Sequence, residues 1–381
     1  MTKRFTVVLA IVLYSLAAWP ASHPAHAKDT WVSVRSSNFF LVGNAEEKEV
    51  RKVATRLEQF REVFSRLFPR MKFTSPIPTT VVVFKSDSSY KPFKPVADGK
   101  TVAVAGYFQP GREVNYITLT TEKREENPYA VIFHEYVHLL INNTLGRSSI
   151  PSWFNEGLAE YYSTFDIEDD QKIYLGNLIN SHLQLLRTNQ LVPLDKLFGV
   201  DYYTLERNKH DARGLFYAQS WVLIHYLMQG NEGKRVRQLG VFLDQLRQNI
   251  PAEKAFRQAF QTDYAGMQKE LRDYVQRHSY RGQIVTFEKK LEFSAEMKTA
   301  PITDAEAHAF LGDLFHIQRP EDAKTKLEQA LALDPKLAMA HASLGMVHMQ
   351  QKKFTEAKEH LQQAVAENST NYWRTTTMLM R

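Results

Sequence analysis

Residues 131–140 read Val-Ile-Phe-His-Glu-Tyr-Val-His-Leu-Leu, and residues 151–162 read Pro-Ser-Trp-Phe-Asn-Glu-Gly-Leu-Ala-Glu-Tyr-Tyr. In the first stretch His134 and His138 are four apart, on one face of a helix, where both imidazoles can bind one zinc ion. Glu135 lies beside that face and can reach a metal-bound water. Val131, Ile132, Phe133, Val137 and Leu140 make the other faces apolar, so the helix is expected to be buried. Asn127 as cap, Pro128 at the first helical position, and Asn142-Asn143 with Gly146 mark its ends. A catalytic zinc needs a third protein ligand and one open position. A second helix begins near Pro151, with Glu156 and Glu160 one turn apart on one face, and seventeen residues separate His138 from Glu156. A carboxylate on this antiparallel helix can complete a two-histidine, one-glutamate set. Glu156 is read as the third ligand and Glu160 as the acceptor for the free ring N–H of a ligand histidine; the swapped assignment is the alternative.

Composition narrows the chemistry further. The chain has 381 residues, 44% hydrophobic and 24% charged, ordinary for a folded protein and longer than the roughly 250–300 residues at which one core stops growing. It has no cysteine, which removes disulfides, thiolate zinc sites, iron–sulfur clusters and cysteine nucleophiles and leaves any metal to His, Asp and Glu. The net charge of +6 is scattered among acids, so no nucleic-acid partner is expected. Residues 1–27 have the layout of a cleaved secretory signal: Lys3 and Arg4, an apolar stretch from Phe5 to Trp19, and Ala25-His26-Ala27 before Lys28. Retention as an N-terminal anchor is the alternative. The chain is therefore expected to be exported, periplasmic or extracellular in a bacterial envelope, with no integral membrane span after signal removal.

Residues 28–280 read as one domain, with a β-containing lobe over 28–126 and a helical lobe over 127–280. Trp31–Val34, Phe39–Val42 and Thr79–Phe84 are expected strands, and Glu46–Phe68 has the apolar spacing of an amphipathic helix. Val102–Phe108 and Val114–Leu119 flank Gln109-Pro110-Gly111-Arg112 as a hairpin. The lysines at 85, 91, 94 and 100 are taken as solvated surface, and residues 281–302 as a linker. Beyond it Leu311-Gly312 is followed by Ala323, Leu327, Ala330 and Pro335, and Leu344-Gly345 by Ala357, Leu361, Ala364 and Ser369. Thr303 with Glu306 forms a capping box. Residues 303–370 thus resemble two tetratricopeptide repeats, followed by a tail over 371–381, although His308 and His341 replace the aromatic usual at position four. Such repeats bind proteins or peptides. Two are marginal for a solenoid, so the pair is expected to lean on the preceding domain or on the tail around Tyr372-Trp373.

His134-Glu135-x-x-His138 with Asn155-Glu156-Gly157-Leu158-Ala159-Glu160 resembles the gluzincin metallopeptidases, the group holding thermolysin and the zinc aminopeptidases. The wording Trp153-x-x-Glu156-Gly157-x-Ala159-Glu160-Tyr161 is most similar to the bacterial peptidase MA-like family, whose members often carry tetratricopeptide repeats. Ile141 and Thr144 stand where a metzincin needs Gly and His. The resemblance implies an α+β fold: a thermolysin-like zincin domain, with a small mixed sheet and a helical lobe carrying His-Glu-x-x-His, then an all-α repeat pair. It implies one Zn2+ per chain on His134, His138 and Glu156, with Glu160 in support and Glu135 as general base. A later helix supplies an oxyanion donor in gluzincins, for which Tyr217 is the candidate here. His210 and Arg213 are weaker candidates for substrate contacts; His182 and His225 are read as structural. Gluzincins also add substrate to a sheet edge, which places Gly106-Tyr107-Phe108 nearest the substrate backbone. The expected function is an exported zinc peptidase acting on peptide or protein, with endopeptidase action favoured over aminopeptidase action and the repeats recruiting a protein partner. The alternative is a non-catalytic envelope scaffold that works through the repeats.

Overall fold

The computed structural model describes residues 29–368 apart from 70–72, 74–76, 98, 103, 112, 123–128, 146–150, 170, 201–209, 292–295 and 317. The N-terminal lobe is built on β1 (Trp31–Arg35), β2 (Phe40–Gly43), helix α1 (Glu47–Leu67), β3 (Thr79–Phe84), the short helix α2 (Asp87–Tyr90), a small ribbon of β4 (Val96–Ala97) and β5 (Lys100–Thr101), and the hairpin β6 (Gly106–Gln109) and β7 (Asn115–Thr120). Thr79–Phe84 has no polar face because both sides of β3 are covered. Val81 and Val83 join one core with α1, and Val82 and Phe84 join a second core on the opposite face. Helix α1 needs no such run: Val50, Val53, Leu57, Phe60 and Phe64 recur at helical spacing and are buried, while Arg51–Glu47 and Arg66–Glu62 pair on its outer face. Burial of each large apolar side chain contributes about 1.5–3 kcal/mol.

The six-stranded sheet has the order β11-β1-β2-β3-β7-β6, where β11 is Lys298–Ile302. Strands β2, β3 and β7 are parallel, whereas β6 is antiparallel to β7 and ends the sheet. Within residues 281–302, expected as a linker, two stretches are instead paired: β10 (Gln283–Thr286) joins β9 (Lys172–Leu175), and β11 closes the far edge of the main sheet on β1. Both are edge strands held by backbone bonds with mostly exposed side chains, so they lack an apolar period, and Pro301 is tolerated at an edge.

The second lobe is helical apart from β8 (Asp166–Ile167), β9 and β10. It comprises α3 (Ala130–Leu145), α4 (Ser152–Ser163), α5 (Asn180–Thr188), α6 (Leu194–Phe198), α7 (His210–Gln229), α8 (Val236–Arg247), α9 (Ala252–Phe260) and α10 (Tyr264–Val275). Phe60 of α1 stacks on Phe133 of α3 at 4.9 Å, and Phe39 meets Tyr136 edge-on at 5.3 Å. These contacts fix α3 under the sheet. The expected cap residues Asn127, Pro128 and Gly146 lie outside the described residues. Among those described, no helix is long and apolar enough to cross a membrane.

Four helices end the described chain: α11 (Asp304–Phe315), α12 (Pro320–Leu333), α13 (Ala338–Gln350) and α14 (Phe354–Asn368). Thr303 and Glu306 cap α11 reciprocally. A Cβ on Gly312 would stand 2.6 Å from Leu327 Cγ, and one on Gly345 would stand 2.7 Å from Leu361 Cγ. The two repeats are thus closed by the same glycine–leucine contact. The first repeat packs on the second face of the sheet, where Phe315 stacks on Phe93 at 5.0 Å. Asp313, 1% exposed, is bound there by the Tyr116 hydroxyl and by Ser343 Oγ at 2.7 Å, and Gln109 Nε2 donates to the Leu314 carbonyl at 3.1 Å. The repeats therefore lean on the sheet; the tail around Tyr372-Trp373 lies outside the described residues. Lys94, expected in solvent, is buried against Asp87, and Lys85 pairs with Asp29.

Candidate metal centre

Helix α3 is buried through Ile132, Phe133, Tyr136, Val137, Leu139 and Leu140, which leaves His134 and His138 on the face that looks toward α4. Their Nε2 atoms are 3.0 Å apart, and Glu156 Oε2 lies 3.4 Å from each. Ligand atoms of these three residues all fall within 4.8 Å of one another, a group that could hold a metal ion. Two imidazole nitrogens and one carboxylate oxygen suit a borderline divalent cation, and three protein ligands leave a coordination position open. Glu156, rather than Glu160, shares this point with the two Nε2 atoms.

The surrounding residues fix the rings. His138 Nδ1–H donates to Asn155 Oδ1 at 3.1 Å, which turns Nε2 inward toward His134 Nε2 and Glu156. His134 Nδ1 faces Glu160 Oε1 at 3.5 Å, and Glu160 Oε2 lies 3.2 Å from His182 Nε2. Read from sequence as structural, His182 of α5 instead extends the set His134–Glu160–His182, with its ring edge-on to Trp221 at 5.8 Å. No local pattern marks it, because the contact arises from the packing of α5 against α7 beside α4. Asn155 stood beside a ligand in the motif, and that adjacency was the available signal. His225, by contrast, sits in the core: Nε2–H donates to the Gly176 carbonyl at 3.0 Å and Nδ1 accepts from the Tyr274 hydroxyl at 2.8 Å.

Electrostatics in the centre favour positive charge between the ligands. Burial opposes a proton on His134, but the Glu156, Glu160 and Glu135 carboxylates outweigh it and raise the imidazole to about 10. For His138, burial is again outweighed by Glu156 and the pKa rises. Burial pushes the Glu156 carboxyl up, yet the two imidazoles hold it well below the usual range. Burial raises Glu135, against the pull of His134, His138 and a hydrogen bond from the Phe108 backbone amide. The last contact ties Glu135 to β6, the edge of the sheet.

Tyr217 of α7 comes to the same place, its ring 6.4 Å from the His134 ring. The charge on Glu156, then burial, holds its phenol well above the ordinary range, so it remains a hydrogen-bond donor. Arg213 pulls the other way, and the side chain of His210 lies outside the described residues. Gly157 makes the approach of α4 to α7 possible: a Cβ there would stand 2.5 Å from the Ser220 carbonyl oxygen and 2.6 Å from Ile224 Cγ1. The sequence motif contains this glycine, but its partner helix was not visible in it.

The tetratricopeptide repeat family matches residues 315–378. A second family, described as a protein of unknown function (DUF1570), matches residues 128–253. No curated protein matches the chain. Residues 128–253 hold α3, α4 and α7 and with them every residue of the metal centre, so the centre lies within a region similar to a family whose description assigns no activity, and the repeats behind it are of a kind that binds proteins.

Proposed function

We propose that the chain is an exported, zinc-dependent peptidase of the gluzincin kind, built on a thermolysin-like zincin fold and favouring endopeptidase action. One observation carries the reading: His134, His138 and Glu156 converge on one point with Glu135 beside them, next to the sheet-edge strand β6. A zinc ion held there supplies Lewis-acid polarisation of a carbonyl and acidifies water. The chain's own residues do the rest. Glu135, its carboxyl raised by burial, accepts a proton from water and returns it to the leaving amine. Tyr217, kept protonated, donates to the oxyanion as charge develops. Strand β6 ends the sheet among the described residues, an edge along which an extended peptide can add by backbone pairing. The signal-like residues 1–27 support export to the periplasm or beyond, and the repeats support recruitment of a protein partner.

The test is digestion of a defined peptide library by zinc-loaded protein, with products read by mass spectrometry, beside Glu135→Gln. Cleavage should fall about 10²–10⁴-fold in the variant while the zinc content stays the same. If fully loaded wild type cleaves nothing that Glu135→Gln leaves intact, the peptidase reading fails, and the function passes to the repeats.

A further inference from the structure

A second pair of imidazoles lies far along the chain from the first. His341 and His348 of α13 are seven residues apart, two turns on one face, and His360 of the antiparallel α14 fits between them. His341 Nδ1 and His360 Nδ1 are 2.9 Å apart, close to the 3.0 Å that separates the Nε2 atoms of His134 and His138. His341 is 6% exposed, and its Nε2–H donates to the Pro335 carbonyl at 3.0 Å, so its Nδ1 presents a lone pair toward His360. A backbone acceptor on the far nitrogen is the arrangement that fixes a histidine for metal binding. The His348 ring lies parallel to the His360 ring, with centroids 5.5 Å apart. His348 is 7% exposed, yet its Nδ1 has no hydrogen-bond partner in a place where buried polar atoms are normally satisfied. His360 is partly exposed and gives solvent access to the cluster.

We propose that His341 and His360 form a second metal site, beside the His348 ring, for a borderline divalent cation such as zinc, nickel or copper(II). Imidazole donors without thiolate select that class. The described residues bring three ligand atoms within 4.8 Å only at His134, His138 and Glu156, so the second site is a two-imidazole site, weaker than the first, with water in the remaining positions. On binding, the proton shared between the two Nδ1 atoms moves to His360 Nε2, and both lone pairs turn to the metal. The consequence is structural. Two repeats are a marginal solenoid, and a cation joining α13 to α14 staples the one whose outer side has no further repeat in the described chain. Metal binding there is folding free energy. The inference is independent of what the first site does.

Equilibrium dialysis of the chain from Lys28 to Arg381 against excess Zn2+ tests it. Wild type should hold two equivalents, a variant with His134→Ala and His138→Ala together should keep only the weaker one, His360→Gln should keep only the tighter one, and the variant combining all three changes should hold neither. His360 is partly exposed, so its replacement is expected to fold, and circular dichroism checks this. As a second reading on unmutated protein, the upper part of a Zn2+ titration, after the first equivalent is filled, should continue to raise Tm in wild type and not in His360→Gln. One equivalent in wild type, undiminished by His360→Gln and with no second Tm rise, overturns the proposal and leaves His341 and His360 as a hydrogen-bonded pair.

Discussion

The molecule holds two histidine pairs with almost the same nitrogen spacing, 3.0 Å at His134–His138 and 2.9 Å at His341–His360, in opposite electrical settings. Around the first stand Glu135, Glu156 and Glu160, and both imidazoles are raised. At the second, burial comes first, and His341 and His348 add to it in lowering His360, against the distant pull of Glu328. Burial also leads in lowering His348. Geometry alone therefore does not make the first centre. The carboxylates do, by offering a third ligand and by rewarding positive charge where the imidazoles alone would repel it.

The sharpest way to break this contrast is Glu156→Ala, which turns the first pair into a copy of the second. The ligand group loses its only oxygen, and two partly buried imidazoles lose the carboxylate that compensates them. Zn2+ affinity is expected to fall at least 100-fold, to that of a two-imidazole site, and the loaded protein to lose about 3–5 kcal/mol, the range for breaking a buried charged set. Competition with a chromogenic chelator and urea unfolding in Zn2+ measure both. Retention of wild-type affinity would sink the ligand assignment and point to Glu160, which faces His134 from its other nitrogen.

His225 supplies a third setting, a buried imidazole whose ring nitrogens meet the Gly176 carbonyl and the Tyr274 hydroxyl. Burial, partly offset by its bond to the Gly176 carbonyl, lowers it to about 4. The unfolded chain takes up this proton near pH 6.5 and the folded chain only near 4, so the contribution is complete above about pH 6.5 and is lost as pH falls through that window. It amounts to about 3 kcal/mol between the two ends. His225→Gln keeps a donor for Gly176 and removes the titration. Its urea stability, followed from pH 7 to 4 with metal removed from both proteins, should decline less than that of wild type by about that amount. Parallel acid limbs would show that His225 is not held neutral.

These contrasts also mark what the sequence makes legible. His134, Glu135, His138 and Glu156 could be read because a helix repeats every 3.6 residues and a motif within two adjacent helices needs only local geometry. Thr79–Phe84 could be read because both faces of its strand are buried, and the repeats because the glycine–leucine seam recurs with the same spacing. The strands at 283–286 and 298–302 could not, since edge strands pair through backbone and their side chains stay exposed. His182 and His360 each meet their partners through helices that come together only in three dimensions, and no periodicity records such a meeting. Lys94 is similar: its burial follows from the fold of one loop over Asp87.

Gly157→Ala asks whether the first centre depends on that assembly as much as on its charges. The added methyl reaches no ligand; it meets the Ser220 carbonyl oxygen and the Ile224 side chain of α7. Backbone is on one side of the contact, so side-chain rotation cannot relieve it, and α4 must move away from α7. Overpacking of this kind costs about 1–3 kcal/mol, read as a lower urea midpoint with unchanged slope. The same movement separates Glu156, the neighbour of Gly157, from Tyr217 and shifts it against the two imidazoles. Zn2+ affinity should therefore fall with stability, by less than in Glu156→Ala because all three ligands remain. If stability falls and affinity does not, α3 and α4 form the metal group by themselves, and the approach of α7 serves only to bring Tyr217 to it.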